Sequence, residues 1–311
     1  MKLVPIEDSA LLEQFERIAE DGMDIFLLND SNYRGAVLHS TRLINQMREN
    51  HELGVLETLL LGHAYIAAGL LTSLVKGNDR ISIMLECDGP ARGFSVESNA
   101  HGDVRGYLRV DAIPVESPPE SFDLSPFIGK GTLSVARHLE AARQPFSGTV
   151  DVEYGNLAKD LANYFVKSEQ LPTAVSLSIQ FDREGRVSGA GGLFIQALPG
   201  ADAAAGPELE KTVRSLPSLG SLFSNGETPA HIIHEYFRPF EPDIIGSRTV
   251  EFNCPCSSDR YGKYLGSLPQ DELDDILENG PFPLIVTCHN CNSSYSYTQT
   301  EVEQIAASGN G

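Results

Sequence analysis

Four of the chain's five cysteines lie close to its C-terminal end, and their spacing restricts what that end can become. They form one C-x-C pair, Cys254-Pro255-Cys256, and one C-x-x-C pair, Cys288-His289-Asn290-Cys291, with 31 residues between the pairs. Two close pairs joined by a loop are how a chain surrounds one tetrahedral zinc ion, each pair supplying one edge of the tetrahedron. Cys254, Cys256, Cys288 and Cys291 are therefore the predicted ligands of a single zinc ion. His289 sits inside the second pair, but four thiolates already complete the tetrahedron, so a solvated side chain is expected there. Spacing alone leaves two roles open. One is a closed knuckle with static structural zinc that serves an interaction protein; the other is a zinc–thiolate redox switch. A C-x-C pair is unusual in structural knuckles, and oxidation of such short pairs closes small, strained rings of the labile kind. A third reading, a thiol–disulfide oxidoreductase built on Cys288-His289-Asn290-Cys291, requires the motif at the start of a helix in a βαβ unit. Here strand-like runs flank it, 284–286 before and 293–298 after. Cys87 is far from the others in sequence, in a strand pattern, and a buried structural thiol is expected.

A chain of 311 residues suggests about two domains, or one large domain with an appendage. With 41% apolar residues it can bury a sizeable core, which in the absence of Trp rests on Leu, Ile, Val, Phe and Tyr. The formal charge of −20 favours solubility and argues against nucleic acid as a partner, because duplex binding needs clustered Lys and Arg. The N-terminal residues show no apolar run of the secretory kind. The longest apolar stretch, 55–75, carries Glu57, Thr58 and His63 and is broken by Gly62 and Gly69, so a buried helix is expected rather than a membrane span. The expected compartment is the cytosol, where paired cysteines more often bind metal or do redox chemistry than form structural disulfides.

Hydrophobic spacing predicts helices over 9–19, 41–49 and 55–76, the last ending at Lys76-Gly77. Strands are predicted over 24–28, 34–39, 81–87, 93–99, 104–109, 131–138 and 147–154, with His101-Gly102-Asp103 as a hairpin turn and 113–127 as loop. Asn156 is placed to cap a helix that ends at Leu171-Pro172. Two long strands follow, 173–181 and 186–198. The glycines of Ser188-Gly189-Ala190-Gly191-Gly192 read as close backbone packing rather than a phosphate loop, since no Lys-Ser/Thr follows and the strand continues. Residues 201–207 read as weakly structured linker, 207–216 as a short helix and 219–226 as irregular. Thr228-Pro229 opens a helix that Pro239 ends. Helices this short are marginal alone and have to lean on something else. His231 and His234 fall three apart without a third ligand nearby, and no Ser/His/Asp or paired-carboxylate arrangement stands out. No enzyme is expected.

With these residues collected, the chain resembles the Hsp33 family, redox-regulated holdase chaperones of the cytosol. Gly102-Asp103-Val104-Arg105-Gly106-Tyr107 is similar to the family's G-x-V-R-G-Y strand. Tyr164-Phe165-Val166-Lys167-Ser168-Glu169-Gln170-Leu171-Pro172-Thr173 is similar to its Y-F-x-x-S-E-Q-x-P-T segment. Ala190-Gly191-Gly192 followed by Gln196-Ala197-Leu198-Pro199-Gly200 resembles a third family segment, and the two cysteine pairs with Ser257 and Arg260 resemble its zinc centre. The resemblance implies an α+β fold: an N-terminal α/β core with antiparallel sheets and helices over 1–199, which binds clients, a helical linker over 200–246, and a zinc-binding redox-switch domain over 247–311. It implies no ATP use, zinc held by four thiolates in the reduced protein, and loss of the metal on oxidation with Cys254–Cys256 and Cys288–Cys291 disulfides. The partners implied are unfolding client proteins, and a second copy of the chain in an oxidised homodimer.

Energetics favour a switch. A unit of about 60 residues buries only about 60% of its unfolded surface and is marginal alone. Zinc on four thiolates contributes on the order of 10–16 kcal/mol, as much as the about 5–15 kcal/mol net stability of a whole domain. Disulfides across one or two intervening residues constrain the unfolded chain too little to replace it. Once the unit unfolds, the linker is expected to follow, releasing Ile232, Ile233, Tyr236, Phe237 and Phe240 from the core.

Overall fold

The apolar stretch beginning at Val55 lies between two sheets and organises the core. A computed structural model describes residues 1–30, 32–115, 121–201 and 206–309. In chain order, α1 (Ser9–Arg17) precedes the hairpin β1 (Gly22–Leu28) and β2 (Tyr33–His39). Helices α2 (Thr41–His51) and α3 (Val55–Leu71) follow, then β3 (Arg80–Cys87), β4 (Gly93–Asn99) and β5 (Asp103–Leu108). The short helix α4 (Ser125–Ile128) leads to β6 (Gly131–His138) and β7 (Phe146–Asp151). Helix α5 (Leu157–Tyr164) precedes the long hairpin β8 (Thr173–Phe181) and β9 (Val187–Ala197). The linker carries α6 (Gly206–Ser215), α7 (Leu219–Ser224) and α8 (Pro229–Tyr236), and returns through β10 (Asp243–Arg248) and β11 (Glu251–Phe252). The C-terminal lobe holds α9 (Ser258–Leu265), α10 (Gln270–Asn279), β12 (Leu284–Thr287), β13 (Ser294–Tyr297) and α11 (Gln299–Gly309).

Among the described residues the strands form a five-stranded antiparallel sheet, β10-β1-β2-β9-β8, a six-stranded sheet, β11-β5-β4-β3-β6-β7, and the small hairpin β12-β13. Helix α3 packs against strands of both larger sheets. Fourteen of its seventeen residues are buried, which accounts for a sequence apolar around most of its girth. Gly62 and Gly69, which interrupt the apolar run, let the sheet approach: a Cβ there would meet Ile179 and Leu38 at 2.5 and 2.7 Å. The expected fold class, a mixed α+β core followed by helices and a cysteine-bearing lobe, is what the chain adopts.

Several local expectations change. Helix α3 stops at Leu71 instead of Lys76, because the Thr72 and Ser73 hydroxyls donate to the carbonyls of Gly69 and Leu70 (both 2.7 Å) and tighten the chain into a 3-10 turn. The helix capped by Asn156 widens into a π turn over Phe165–Glu169 before Pro172. Within the loop expected over 113–127, Ser125–Ile128 is helical, and residues 116–120 lie outside the described residues. Of the weakly structured stretch 201–207, residues 202–205 lie outside them too. The segment 219–226, read as irregular, contains helix α7. Six residues are too few to show a period, and α7 takes its support from the sheet beneath it.

That support explains the glycines of β9. The outer face of the five-stranded sheet, away from α3, presents Phe26, Leu28, Val37, Leu193 and Ile195. These join one cluster with Leu219 and Phe223 of α7, Ile232 and Ile233 of α8, and Phe237 and Phe240 after it, all nearly inaccessible. A Cβ on Gly189 would lie 2.0 Å from Gly220 O, and one on Gly191 would lie 2.2 Å from Phe223 Cε2. The linker thus seats backbone to backbone on β9. His39 of β2 stacks on Phe223 at 4.4 Å between ring centroids. The Gly189→Val variant is expected to lift α7 off the sheet, at a cost of about 1–3 kcal/mol typical of overpacking. Thermal unfolding and binding of an apolar dye to the reduced protein measure this; dye binding should rise while metal content stays at the wild-type level.

Candidate metal centre

The two cysteine pairs are delivered from different directions. Strand β11 pairs in parallel with β5, Glu251 opposite Asp103 and Phe252 opposite Val104, and Asn253 N donates to Val104 O (3.2 Å). This two-residue ladder carries Cys254 alongside Arg105. Pro255 then turns the chain, and Cys256 precedes Ser257, whose hydroxyl accepts from Arg260 N (3.2 Å) and caps α9. The second pair occupies the turn between β12 and β13, where Cys291 N and Asn292 N both donate to Cys288 O and Asn292 takes a positive φ of 55°. This is a hairpin turn and not a helix start, so the context of a thioredoxin-type motif is missing.

All four sulfurs come together. Cys254 Sγ lies 3.8 Å from Cys288 Sγ, Cys256 Sγ lies 3.3 Å from Cys291 Sγ, and the four fall within 4.8 Å of one another. A tetrahedral thiolate site with metal–sulfur bonds of about 2.3 Å has edges of about 3.8 Å. The residues present therefore fit such an ion. All four cysteines are buried. His289 is exposed, its ring 5.6 Å from that of Tyr107, outside the sulfur cluster. Cys87, expected to be buried, is only half-buried at the end of β3 and stands apart from the cluster.

Electrostatics argue for a cation among the sulfurs. Hydrogen bonds from Cys254, Cys291 and Tyr261 hold Cys288 far below the usual thiol range, while the same shared protons push Cys254 and Cys291 up. Cys254, Cys288 and Cys291 compete for these protons, and a bound cation removes that conflict.

Each sulfur has its own polar neighbour. Tyr295 Oη lies 3.1 Å from both Cys256 Sγ and Cys256 O, Tyr261 bonds Cys288, and Ser293 Oγ is 3.3 Å from Cys291 Sγ. Arg105 Nη1 donates to Cys254 Sγ at 3.4 Å, and its Nε donates to Glu97 Oε1 at 2.8 Å. The core also holds the second turn through Asn50. Its side-chain nitrogen donates to Lys2 O (2.9 Å) and Cys291 O (3.1 Å), and its backbone oxygen accepts from Asn292 Nδ2 (2.9 Å). Sequence reasoning identified the four cysteines and missed these neighbours. Arg105 lay in a quoted motif without a role. Its signal was a charged residue between the inward-facing Val104 and Gly106 of a strand. Asn50 carried none.

Fold and site together describe a protein in which a small four-cysteine lobe closes on a larger α+β core. A family model described as Hsp33 protein matches residues 21–298. The chain is 36% identical over 279 residues to the 33 kDa chaperonin of Desulforamulus reducens, covering 89% of this chain and 94% of that protein. It is 31% identical to the 33 kDa chaperonin of Aquifex aeolicus, covering 91% and 89%. The crystal structure of the 33 kDa chaperonin (heat shock protein 33 homolog) from Thermotoga maritima superposes with a TM-score of 0.82 at 28% identity, covering 93% of this chain and 98% of that one. The chain belongs to the Hsp33 family of chaperones. The relatives' names describe chaperonins and not enzymes, in agreement with the sequence reading.

Cobalt(II) titrated into the metal-free reduced protein is expected to give the intense thiolate-to-metal absorption of a four-sulfur site. Cys254→Ser or Cys291→Ser should weaken it and shift it to higher energy, and Cys87→Ser should leave it unchanged.

Proposed function

We propose that the chain is a redox-regulated, ATP-independent holdase of the cytoplasm, with residues 1–199 as client-binding core, 200–246 as linker and 247–311 as the switch. The observation that carries this reading is the composition of the lobe's interior. Among the described residues, nine apolar side chains between Cys254 and Ala306 are buried, and four of them are the clustered cysteines. The rest of that interior is Leu273, Tyr295, Tyr297, Val302 and Ala306. Zinc, once bound by Cys254, Cys256, Cys288 and Cys291, cross-links both pairs and keeps their sulfurs as thiolates.

Oxidation withdraws these donors. Within each pair two thiols lose two protons and two electrons to one peroxide molecule, which leaves as two waters, and one S–S bond forms. The pairing we favour is Cys254 with Cys256 and Cys288 with Cys291. Disulfides no longer hold the ion, and their loops of one and two intervening residues constrain the chain little. The lobe then loses the centre of its interior and its attachments to Arg105 and Asn50. The linker helices, each of ten residues or fewer, depend on the sheet face and on the strands that follow them. Their departure bares Phe26, Val37 and Leu193 along with Ile232, Ile233 and Phe237. An apolar area of that kind binds unfolding clients and favours an oxidised homodimer.

An aggregation assay with a thermally unfolding client tests the reading. Suppression is expected only after peroxide treatment, with about one zinc released and four thiols lost per chain, and a thiol reductant should reverse it. Equal activity in both states, or none, favours a static knuckle. Peptide mapping of the oxidised protein under non-reducing conditions reads the pairing directly.

A further inference from the structure

His39 and the linker helix α7 meet on the outer face of the five-stranded sheet. The imidazole is fully buried and lies under the Phe223 ring, with 4.4 Å between centroids and 19° between planes. Its partner in the register of β2 on β9 is Gly191, whose missing Cβ leaves the space that Phe223 fills. Both ring nitrogens are engaged. Nδ1 lies 3.3 Å from Glu20 O, which only accepts, so Nδ1 carries the hydrogen. Nε2 lies 2.8 Å from Thr41 Oγ1, and that oxygen already accepts from Ala190 N (3.0 Å), so the hydroxyl hydrogen points to Nε2. This set of partners suits the neutral imidazole. A second proton, on Nε2, would meet the hydroxyl hydrogen and turn it away from its acceptor. The charged groups about the ring offer the cation no support. Arg42 presents a like charge, and the Glu20 side chain is turned out to solvent. Asp21 comes within 4.0 Å of Nε2, but it caps α2 through Arg42 N and Leu43 N, and burial pushes it up to about 7, so it is protonated in acid. Helix α7 itself, Leu219–Ser224, has no titratable side chain.

We propose that the contact of His39 with Phe223 is a proton-sensitive latch, which acid opens in the reduced protein by charging the imidazole and lifting α7 from the sheet. The sign follows from the two environments of the ring. Docked, His39 is held down at about 4, chiefly by burial and further by Arg42, with the Glu20 carbonyl acting the other way. Once α7 leaves, the ring meets water and titrates near 6.5. Docking is therefore at full strength above about pH 6.5 and weakens as the pH falls toward 4. The attraction of an imidazolium for a phenyl face opposes the opening, and the pull of water on a buried charge exceeds it. One proton passes from solvent to Nε2, and only hydrogen bonds and packing contacts are broken. No thiol takes part. That the bared face then receives unfolding chains rests on the holdase reading above; the latch does not.

Hydrogen exchange tests this on the reduced, zinc-loaded full-length protein. Rates are expressed as protection factors, which divide out the pH dependence of the exchange chemistry itself. Between pH 7.5 and pH 5 the protection of the α7 amides is expected to fall roughly thirty-fold, the ratio that titration near 6.5 against about 4 gives. The amides of α3 and the zinc content should be unaffected. His39→Gln, which cannot titrate, should change α7 protection by less than about three-fold over the same range, whatever its starting level. Asp21→Asn should keep the acid response of the wild type. An equal fall in His39→Gln, no fall in the wild type, a fall that tracks zinc loss, or loss of the response in Asp21→Asn overturns the proposal. If His39→Gln fails to seat α7, the wild-type imidazole is read directly by NMR of 13C-labelled histidine. A neutral ring at pH 5.5 is expected, and a midpoint near 6.5 with α7 still protected overturns the latch. The peroxide assay at neutral pH stands apart, since failure there removes the holdase reading and leaves these exchange rates as they are.

Discussion

Everything C-terminal of residue 253 depends on the convergence of four sulfurs at one point. The hairpin β12-β13 has two short strands, α9 and α10 have few buried residues, and the aromatic side chains Tyr261, Tyr295 and Tyr297 pack about the cysteine cluster instead of forming a separate interior. Among the described residues, the lobe's buried apolar interior beyond the sulfurs is small: Leu273, Tyr295, Tyr297, Val302 and Ala306. It is attached to the core by hydrogen bonds of Asn50, Arg105, Met1 and Lys2 and by the ladder of β11 on β5, whose Phe252 packs on Tyr65.

The linker has the opposite physics. Its helices are held by apolar contact with the outer face of the five-stranded sheet, and that contact is close because β9 presents glycines. The same sheet therefore has two buried faces, closed by different kinds of element. The inner face is closed by α3, a helix with no other place to go. The outer face is closed by helices whose chain is anchored in the sheet at one end and continues into the lobe at the other. A family whose members are chaperones has use for an apolar face covered in this way.

Much of this was legible in the sequence where one residue type carries one meaning. The cysteine spacing identified the cluster, the glycine run on β9 signalled close packing, and the apolar girth of 55–71 signalled a central helix. What was not legible depends on contacts between distant segments. Helix α7 is six residues long and has no period to read; it exists because Gly220 and Phe223 find β9. Strand β10, Asp243–Arg248, spans the boundary expected at 246/247, and only its pairing with β1 defines it. Arg105 is an ordinary strand arginine until β11 arrives beside it, and Asn50 is an ordinary helix-end asparagine until the second cysteine turn rests on it. In each case local propensity was silent and tertiary pairing decided.

Strand β10 has one further consequence. It covers the edge of β1 from Met23 to Leu27, and β8 is the last strand on the other side of the sheet. Freed of β10, β1 would present a row of unpaired amides and carbonyls beside the newly bared outer face. Backbone groups are the same in every polypeptide, so an extended segment of an unfolding chain could add itself as a strand whatever its side chains are. Recognition of that kind reads the loss of native structure itself, a property that all unfolding chains share and that no particular sequence motif reports.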